Sequence, residues 1–382
     1  MGRNKHANQK RELTIASRPQ LTRTIRSIEN GIAANLHLGA QLYVSRNGQT
    51  IADLALGEAR SGVPLRPDHL MLWMSATKPV TAVAIGQMWD RGWLEFDDRV
   101  AKYIPEFAIK GKEPITIRHV LTHTGGFPRA VGPWSYDPWE KIIAEICDAP
   151  LEPGWIPGRD CGYHVASGWY VLGEIVRRLD GRPYHRYVRE AIFEPLGMND
   201  SWLGMPAERY DDFGERIVPM HFADGNALPI PHMYKYFRDA REALANCRPG
   251  GNGRGPIREL GRFYEALLDG GGSILSGATI KTLTARHTVG LKDQIFNFPL
   301  DRGLGFVIDS KQYGLPATWY GSRCSARTFG HAGYVSSVGF ADPEYGLAVA
   351  LVFNGMLDAA PTRHDARINA AIDAVYEDLN LG

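Results

Sequence analysis

Apolar residues near the N-terminus repeat first at helical and then at strand-like spacing. Positions 21–35 read as an amphipathic helix, whereas 39–46 and 49–57 are strand-like runs. The dipeptide Asn47-Gly48 separates these runs and favours a tight hairpin turn, because both residues readily adopt positive φ. The pattern predicts one helix followed by an antiparallel pair of strands.

The C-terminal part has the same elements in the reverse order. Residues 336–342 and 347–353 form two apolar runs joined by the turn residues 343–346, and 362–379 returns to helical spacing. Both ends of the chain therefore predict antiparallel strands flanked by helices. The simplest arrangement is one sheet that both ends of the chain complete.

Helical patterns dominate the region between the two hairpins. Clusters of Gly and Pro at 152–158 and 248–256 interrupt them. The predicted helices are 116–122, 138–147, 166–179, 184–192, 256–268 and 276–285.

These elements predict an α+β fold: an antiparallel sheet flanked by helices, built from both termini, with an inserted mainly helical region. We divide the chain into a discontinuous sheet domain, 20–74 with 287–382, and a mainly helical domain, 75–286. The active site is expected at the interface between them. Residues 1–19 are expected to be flexible.

Composition and charge narrow the choice of partners. Hydrophobic residues make up 44% of the 382 residues, and 43 basic and 42 acidic side chains leave a net charge of +1. Without a long basic run, neither nucleic acid nor an anionic membrane is an expected partner. No apolar run is long enough for a membrane span or a signal peptide. The four scattered cysteines show no metal or disulfide spacing, so we expect a cytoplasmic protein with reduced thiols. No feature predicts an oligomeric state.

The strongest candidates for chemistry are Ser75 and Lys78. Residues three apart lie on one face of a helix, so the amine can take the proton of the hydroxyl. A Ser-x-x-Lys arises by chance about once in a chain of this size. The neighbouring residues therefore decide whether this one is a catalytic motif. The residues at 70–74 are apolar, and Pro79 begins a mostly apolar helix. Desolvation there lowers the pKa of a lysine, and a helix N-terminus favours negative charge on the serine.

Two other segments offer polar groups for the same cavity. Tyr163 lies in a loop that leads into a helix, and beside a lysine ammonium its phenolate would be favoured. His331 lies in a Gly-rich segment, read as a turn before a strand, in which Gly333 allows close approach of a ligand to an edge strand. The N–H of Tyr334 could then hold an oxyanion together with that of Ser75. Packing for the tyrosine and a structural hydrogen bond for the histidine remain the alternatives.

The order Ser75-x-x-Lys78, Tyr163, His331-x-Gly333 resembles the serine β-lactamase-related superfamily, particularly class C β-lactamases, D-alanyl-D-alanine carboxypeptidases and family VIII esterases. The resemblance covers nearly the whole chain. It implies a β-lactamase-like fold and an acyl-enzyme formed on the serine.

Connecting segments carry the same resemblance: LEFDDRVAKYIPE at 94–106, ITIRHVLTHTGG at 115–126 and IFEPLGM at 192–198. Two departures are informative. The family's Tyr-x-Asn is replaced by Tyr-His-Val at 163–165, and the Lys-Thr-Gly of true β-lactamases is replaced by His-Ala-Gly at 331–333. Both changes weaken the case for antibiotic hydrolysis and resemble what esterases and acyltransferases of this group carry.

The resemblance implies a serine hydrolase, an esterase or amidase acting on a small ester or amide without a metal or organic cofactor. Ser75 would attack the carbonyl while Lys78 and Tyr163 move the proton. His331 would orient the tyrosine or the substrate, and Trp155 is one of several aromatic residues of the inserted region, of which some are expected at the acyl or acceptor pocket and more in the core.

Three other functions compete with this interpretation. A transacylase that passes the acyl group to an amine or alcohol, a second substrate, stays open, because the residues do not decide what resolves the acyl-enzyme. A non-catalytic scaffold is disfavoured by the intact Ser75, Lys78 and Tyr163. A Ser-His-Asp hydrolase lacks its Gly-x-Ser-x-Gly motif. His119 and His123 are four apart, but no third metal ligand accompanies them.

Overall fold

The computed structural model describes residues 21–132, 137–223, 227–228, 240–334, 336–357 and 361–382. The strands are β1 (Gly39–Arg46), β2 (Gln49–Arg60), β3 (Val63–Pro64), β4 (Met71–Leu72), β5 (His221–Ala223), β6 (Ala227–Leu228), β7 (Arg254–Gly255), β8 (Val307–Ile308), β9 (Phe329–Gly333), β10 (Ser337–Asp342), β11 (Leu347–Phe353) and β12 (Gly355–Leu357). The α-helices are α1 (Thr22–Ala33), α2 (Lys78–Asp90), α3 (Ile117–Leu121), α4 (Trp139–Asp148), α5 (Ser167–Asp180), α6 (Tyr184–Val188), α7 (Ala207–Phe213), α8 (Ala240–Ala245), α9 (Ile257–Leu268), α10 (Gly277–Thr284) and α11 (Pro361–Asp378).

Seven strands of the described ranges form one antiparallel sheet in the order β3-β2-β1-β11-β10-β9-β8. The two predicted hairpins, β1–β2 and β10–β11, meet at its centre, where Ala40 pairs with Phe353. Asn47 and Gly48 have φ of 51° and 72°, which suits the tight turn expected between β1 and β2. The predicted α+β class, with a sheet completed by both ends of the chain, is confirmed.

Strand β11 is buried on both faces, which explains its run of consecutive apolar residues. Leu351 packs on one face in the cluster that contains Ile28 of α1 and Ile372 of α11. Its neighbour Ala350 packs on the other face in the cluster that contains Leu260 of α9. A fully buried Leu or Ile contributes roughly 1.5–3 kcal/mol, so the helices packed on both faces stabilise the sheet.

The inserted region is built around α2, which is apolar on all sides and therefore buried by its neighbours. Short strands connect this region to the rest of the chain: β4 pairs antiparallel with β7, and β12 pairs parallel with β5. The division into two domains stays a prediction, and the segment 1–19 lies outside the described residues. Within the described ranges, no helix combines the length and apolar character that a membrane span requires.

The segment around His331 differs from its prediction as a turn followed by a strand. His331 lies inside β9, and β9 is not an edge strand, because β10 pairs with it on one side and β8 on the other. The glycines suggested a turn, yet Gly330 serves close strand packing: a Cβ there would lie 2.2 Å from the carbonyl oxygen of Gly339. This placement brings the C-terminal end of β9 to the start of α2.

Candidate active site

Ser75 lies in a 3₁₀ turn, Met74–Thr77, that leads directly into α2. Side chains fix the turn: the Ser337 hydroxyl donates to the Trp73 carbonyl at 2.6 Å, and the Thr77 hydroxyl donates to the Met74 carbonyl at 2.6 Å. Met74 has φ of 50°, an uncommon conformation for a residue with a side chain, which such contacts enforce. Every residue from 69 to 88 is buried except Ser75, which is half-buried.

The amine of Lys78 lies beside this hydroxyl and is fully buried. Its Nζ is 3.0 Å from Ser75 Oγ, 3.0 Å from the carbonyl oxygen of Val165 and 2.7 Å from that of Gly250. A neutral amine has two N–H donors for the two carbonyls and one lone pair for the serine proton. Burial and, secondly, the positive charge of Arg302 hold the pKa of Lys78 well below its usual value. The direction is the one predicted from the sequence.

Tyr163 completes the group around the hydroxyl. Its ring centroid is 5.0 Å from Lys78 Nζ, and its phenol is close enough to the side chain of Ser75 for that hydroxyl to affect its pKa. Burial raises the pKa of Tyr163, and the interaction with Ser75 only partly opposes this effect. The phenolate expected from the sequence is therefore disfavoured, because desolvation dominates and burial also disfavours the positive charge on the neighbouring amine. Tyr163 keeps its proton and can donate it.

The end of β9 approaches the Ser75 turn closely. A Cβ on Gly333 would lie 2.3 Å from the carbonyl oxygen of Trp73 and 2.8 Å from Met74 Cβ, so no larger residue fits. Beyond this contact the side chain of Tyr334 is 59% exposed. Only the backbone N–H of Tyr334 is therefore a candidate donor to an oxyanion. The N–H groups of Ser75 and Tyr334 donate to no acceptor in the described part of the chain.

His331 is buried between Tyr163 and Trp319, with ring centroid distances of 6.1 and 5.5 Å. Its Nδ1 lies 2.6 Å from the carbonyl oxygen of Ala332 and therefore carries the proton. Its Nε2 is then an acceptor, and it has no hydrogen-bond partner among the described residues. Burial holds the pKa of His331 well below its usual value, and Lys78 lowers it further whenever that amine is protonated. The ring is neutral and offers one free acceptor.

Trp155 lies beneath the loop that carries Tyr163. It is 8% exposed, and its indole N–H donates to the carbonyl of Thr124 at 3.1 Å. A Cβ on Gly126 or Gly162 would lie within 3 Å of its ring. These contacts give Trp155 a packing role, and its contact with substrate stays a prediction.

Two aromatic side chains beside the site were not predicted. The ring of Phe296 stacks on that of Tyr163 with centroids 4.6 Å apart, and Trp319 packs edge-on against His331. Phe296 and Trp319 also contact each other, at 6.1 Å. Neither lies in a periodic element or a motif, so the sequence carried no signal for them.

Neutral histidines support Tyr163 from behind. The ring of His123 lies 4.8 Å from that of Tyr163, and its Nδ1 accepts the backbone N–H of His164 at 2.9 Å. His164 Nε2 accepts the N–H of Phe127 at 3.1 Å, while its Nδ1 lies 2.7 Å from the carbonyl oxygen of Gly162. Burial lowers the pKa of His164 to about 4. In the described ranges, no group of three potential metal-binding side chains is arranged to hold an ion.

Comparisons with known proteins identify similar sequences and similar folds. A family model described as Beta-lactamase matches residues 25–374. The esterase/β-lactamase LipL of Mycobacterium tuberculosis (strain ATCC 25618 / H37Rv) is 29% identical over 367 residues, which are 90% of this chain and 83% of LipL. A solved penicillin-binding protein homologue from Caulobacter crescentus is 32% identical, with a TM-score of 0.78 over 94% of this chain and 97% of that one. A family VIII carboxylesterase structure is 26% identical, with a TM-score of 0.78 over 94% and 98%.

Proposed function

This chain belongs to the beta-lactamase family, and from that premise we propose that it hydrolyses small esters or amides through an acyl-enzyme on Ser75. The family resemblance read from the motifs is confirmed. The observation that carries the proposal is the 3.0 Å contact between Ser75 Oγ and the fully buried amine of Lys78. A neutral amine at that distance is a general base for the serine proton.

Acylation follows from the contacts around Ser75. Its oxygen attacks the substrate carbonyl while its proton moves to Lys78, which becomes an ammonium. The oxygen that gains negative charge lies between the N–H groups of Ser75 and Tyr334, and one such donor is worth about 10²–10³ in kcat. Tyr163 donates its proton to the leaving group and recovers one from Lys78. The products of this step are the acyl-serine and a neutral alcohol or amine.

Deacylation reverses the proton path. Water takes the position of the leaving group and gives its proton to the same basic pair, and the serine then leaves with a proton returned by Lys78. His331 Nε2 is a buried acceptor without a partner among the described residues, and it can accept a proton from a substrate or water that reaches it. We assign it a binding role for that proton.

The charges of the site favour an uncharged substrate. In the described residues the cation that acts on Lys78 is Arg302, and Asp293 neutralises it at 2.5 Å. Among the described residues, this pairing leaves Arg302 no net positive charge to offer a substrate carboxylate. The aromatic faces of Phe296 and Trp319 instead offer apolar contact to an acyl group. This combination supports neutral esters with a small apolar acyl group above carboxylate-bearing β-lactams.

The test is covalent trapping together with turnover. The purified chain is treated with a fluorophosphonate, and intact mass and peptide mapping locate the adduct. Turnover is measured with p-nitrophenyl acetate and with nitrocefin, a β-lactam that carries a carboxylate. We expect one adduct on Ser75 and faster turnover of the ester. An adduct at another residue, or ester hydrolysis that survives Ser75→Ala, would overturn the proposal.

A second arm separates hydrolysis from transfer. Ester turnover is followed with and without added alcohols or amines, while the released acid is quantified. Acid that equals the released p-nitrophenol supports a hydrolase. Product that appears without matching acid release, and only with an acceptor present, would replace hydrolase by transacylase while leaving the role of Ser75 intact.

A further inference from the structure

We propose that Arg302 and Asp293 are positioning residues of the reaction: a buried ion pair that holds Tyr163 against Ser75. The inference rests on the proposed function, because it concerns the group that would protonate the leaving group. Neither residue lies in a motif of the family resemblance.

The pair is fully enclosed next to the candidate active site. Arg302 Nη2 lies 2.5 Å from Asp293 Oδ2, and the two side chains are 1% and 0% exposed. The guanidinium carbon of Arg302 is 5.9 Å from the centroid of the Tyr163 ring. Both charges are therefore out of reach of solvent screening and directly behind the phenol.

Asp293 fixes the backbone on both sides of the phenol. Its Oδ1 accepts the N–H groups of Tyr163 at 3.2 Å, Ile295 at 2.9 Å and Phe296 at 3.0 Å. One carboxylate oxygen thus ties the loop of Tyr163 to the segment whose Phe296 ring stacks on the phenol. Tyr163 is held at its backbone and at its ring face by the same anion.

Stability alone does not account for this pair. The free energy needed to remove two charges from water often exceeds the free energy that their attraction supplies. A buried ion pair is therefore weak evidence for a stabilising role. Arg302 Nε is also buried without a hydrogen-bond partner in the described part of the chain. Placement of Tyr163 and control of charge around the site are what the pair supplies.

The two charges act on the proton carriers with opposite sign. Among the described residues, the ionisable groups that face Lys78 are Tyr163, His123 and His331, whose shifted pKa values favour the uncharged forms, and the guanidinium of Arg302. Arg302 lowers the pKa of Lys78 and of Tyr163, whereas Asp293 raises that of Tyr163. Removing either charge therefore moves the pH dependence in a direction that depends on which charge is lost.

The experiment measures kcat/KM against pH with p-nitrophenyl acetate for Arg302→Met and Asp293→Asn. Arg302→Met should move the acidic limb to higher pH, because Lys78 then loses its proton at higher pH. Asp293→Asn should not move the limb upward, since the cation remains and is uncompensated. Both should lower kcat by about ten-fold or more, as expected when a proton donor is displaced.

Two further variants keep the test informative if a single change prevents folding. The double variant Arg302→Met with Asp293→Asn removes both charges and should show the raised limb. Arg302→Lys keeps the charge, so its limb should stay at the wild-type pH while kcat falls. Arg178→Met is the matched control, because Arg178 pairs at 2.6 Å with the 1% exposed Glu174 outside the site. It should lose stability without moving the limb.

Failure of this inference is distinguishable from failure of the proposed function. If the fluorophosphonate does not label Ser75 in the unchanged chain, the proposed function itself is refuted. If it labels Ser75 normally, but the folded variants, double variant included, keep the wild-type pH profile and lose no more activity than Arg178→Met, the ion pair is structural and the inference is overturned.

Discussion

Replacing Lys78 by Met removes the amine from the site while keeping most of its buried volume. The carbonyl oxygens of Val165 and Gly250 lose a donor, and each buried carbonyl left unpaired costs about 1–3 kcal/mol. Burying an apolar chain in place of the amine partly offsets this loss. We expect the free energy of unfolding to fall by about 2 kcal/mol and the protein to remain folded.

Catalysis should suffer much more than stability. Without the base, Ser75 must lose its proton to water, and a positioned general base is worth about 10²–10⁴ in rate. The corresponding loss of transition-state stabilisation is about 3–5 kcal/mol. The assay is kcat/KM for p-nitrophenyl acetate, with the free energy of unfolding measured in urea on the same preparations.

Lys112→Met is the matched control for this change. Lys112 is also fully buried and donates to the carbonyls of Ile109 at 3.2 Å, Cys147 at 2.9 Å and Ala149, but it has no serine hydroxyl beside it. It should lose a comparable free energy of unfolding and keep its activity. Folded Lys78→Met protein with kcat/KM within about ten-fold of wild type, or an equal loss in Lys112→Met, would refute the assignment of the base.

The remaining predictions concern the hydroxyl, the phenol, the strand contact and the buried histidines. Ser75→Ala should abolish ester turnover and fluorophosphonate labelling while changing the free energy of unfolding by less than about 1 kcal/mol, because alanine suits the helix start; residual labelling would count against it. Tyr163→Phe should lower kcat by about 10²–10⁴ with little change in KM, and near-normal kcat would exclude the phenol as proton donor. Gly333→Ala should displace β9 from the site and lower kcat/KM by about 100-fold. Gly277→Ala, where the nearest described atom to the added carbon is the Gly270 carbonyl oxygen at 3.9 Å, should be neutral; equal activities would show that the close approach is unimportant. In urea unfolding, the free energy of unfolding should fall by up to about 3 kcal/mol for His164 as the pH drops from 6.5 to 4. The reason is that His164 binds a proton in the unfolded chain and not in the folded chain. A free energy of unfolding that is independent of pH would be inconsistent with a neutral buried ring.

The central sheet was predictable because its signals are local. Alternation and the Asn47-Gly48 turn specify a hairpin within twenty residues, and the apolar run of β11 identifies a strand covered on both faces. The short outer strands were not predicted. A strand of two residues is too short to show periodicity in the sequence. β8, for example, is recognised by its pairing with β9.

The geometry of the site was predictable only in part. Ser75 and Lys78 are linked by helical spacing, so their 3.0 Å contact follows from local structure. The carbonyls that hold the amine lie 87 and 172 residues further along the chain, at Val165 and Gly250, where no spacing rule applies. Burial also reversed the sequence-based expectation of a phenolate at Tyr163, since the depth of a loop residue depends on the tertiary structure.

The sheet ends in two-residue strands on both sides, β3 at Val63–Pro64 and β8 at Val307–Ile308. A two-residue strand offers few free backbone groups for a foreign strand to pair with, and Pro64 offers no N–H at all. We therefore expect the β8 edge to resist strand addition and the aggregation that it seeds, whereas β2 extends beyond β3 on the other side. Deleting β8, which would uncover the longer β9, is the change that should make this fold prone to it.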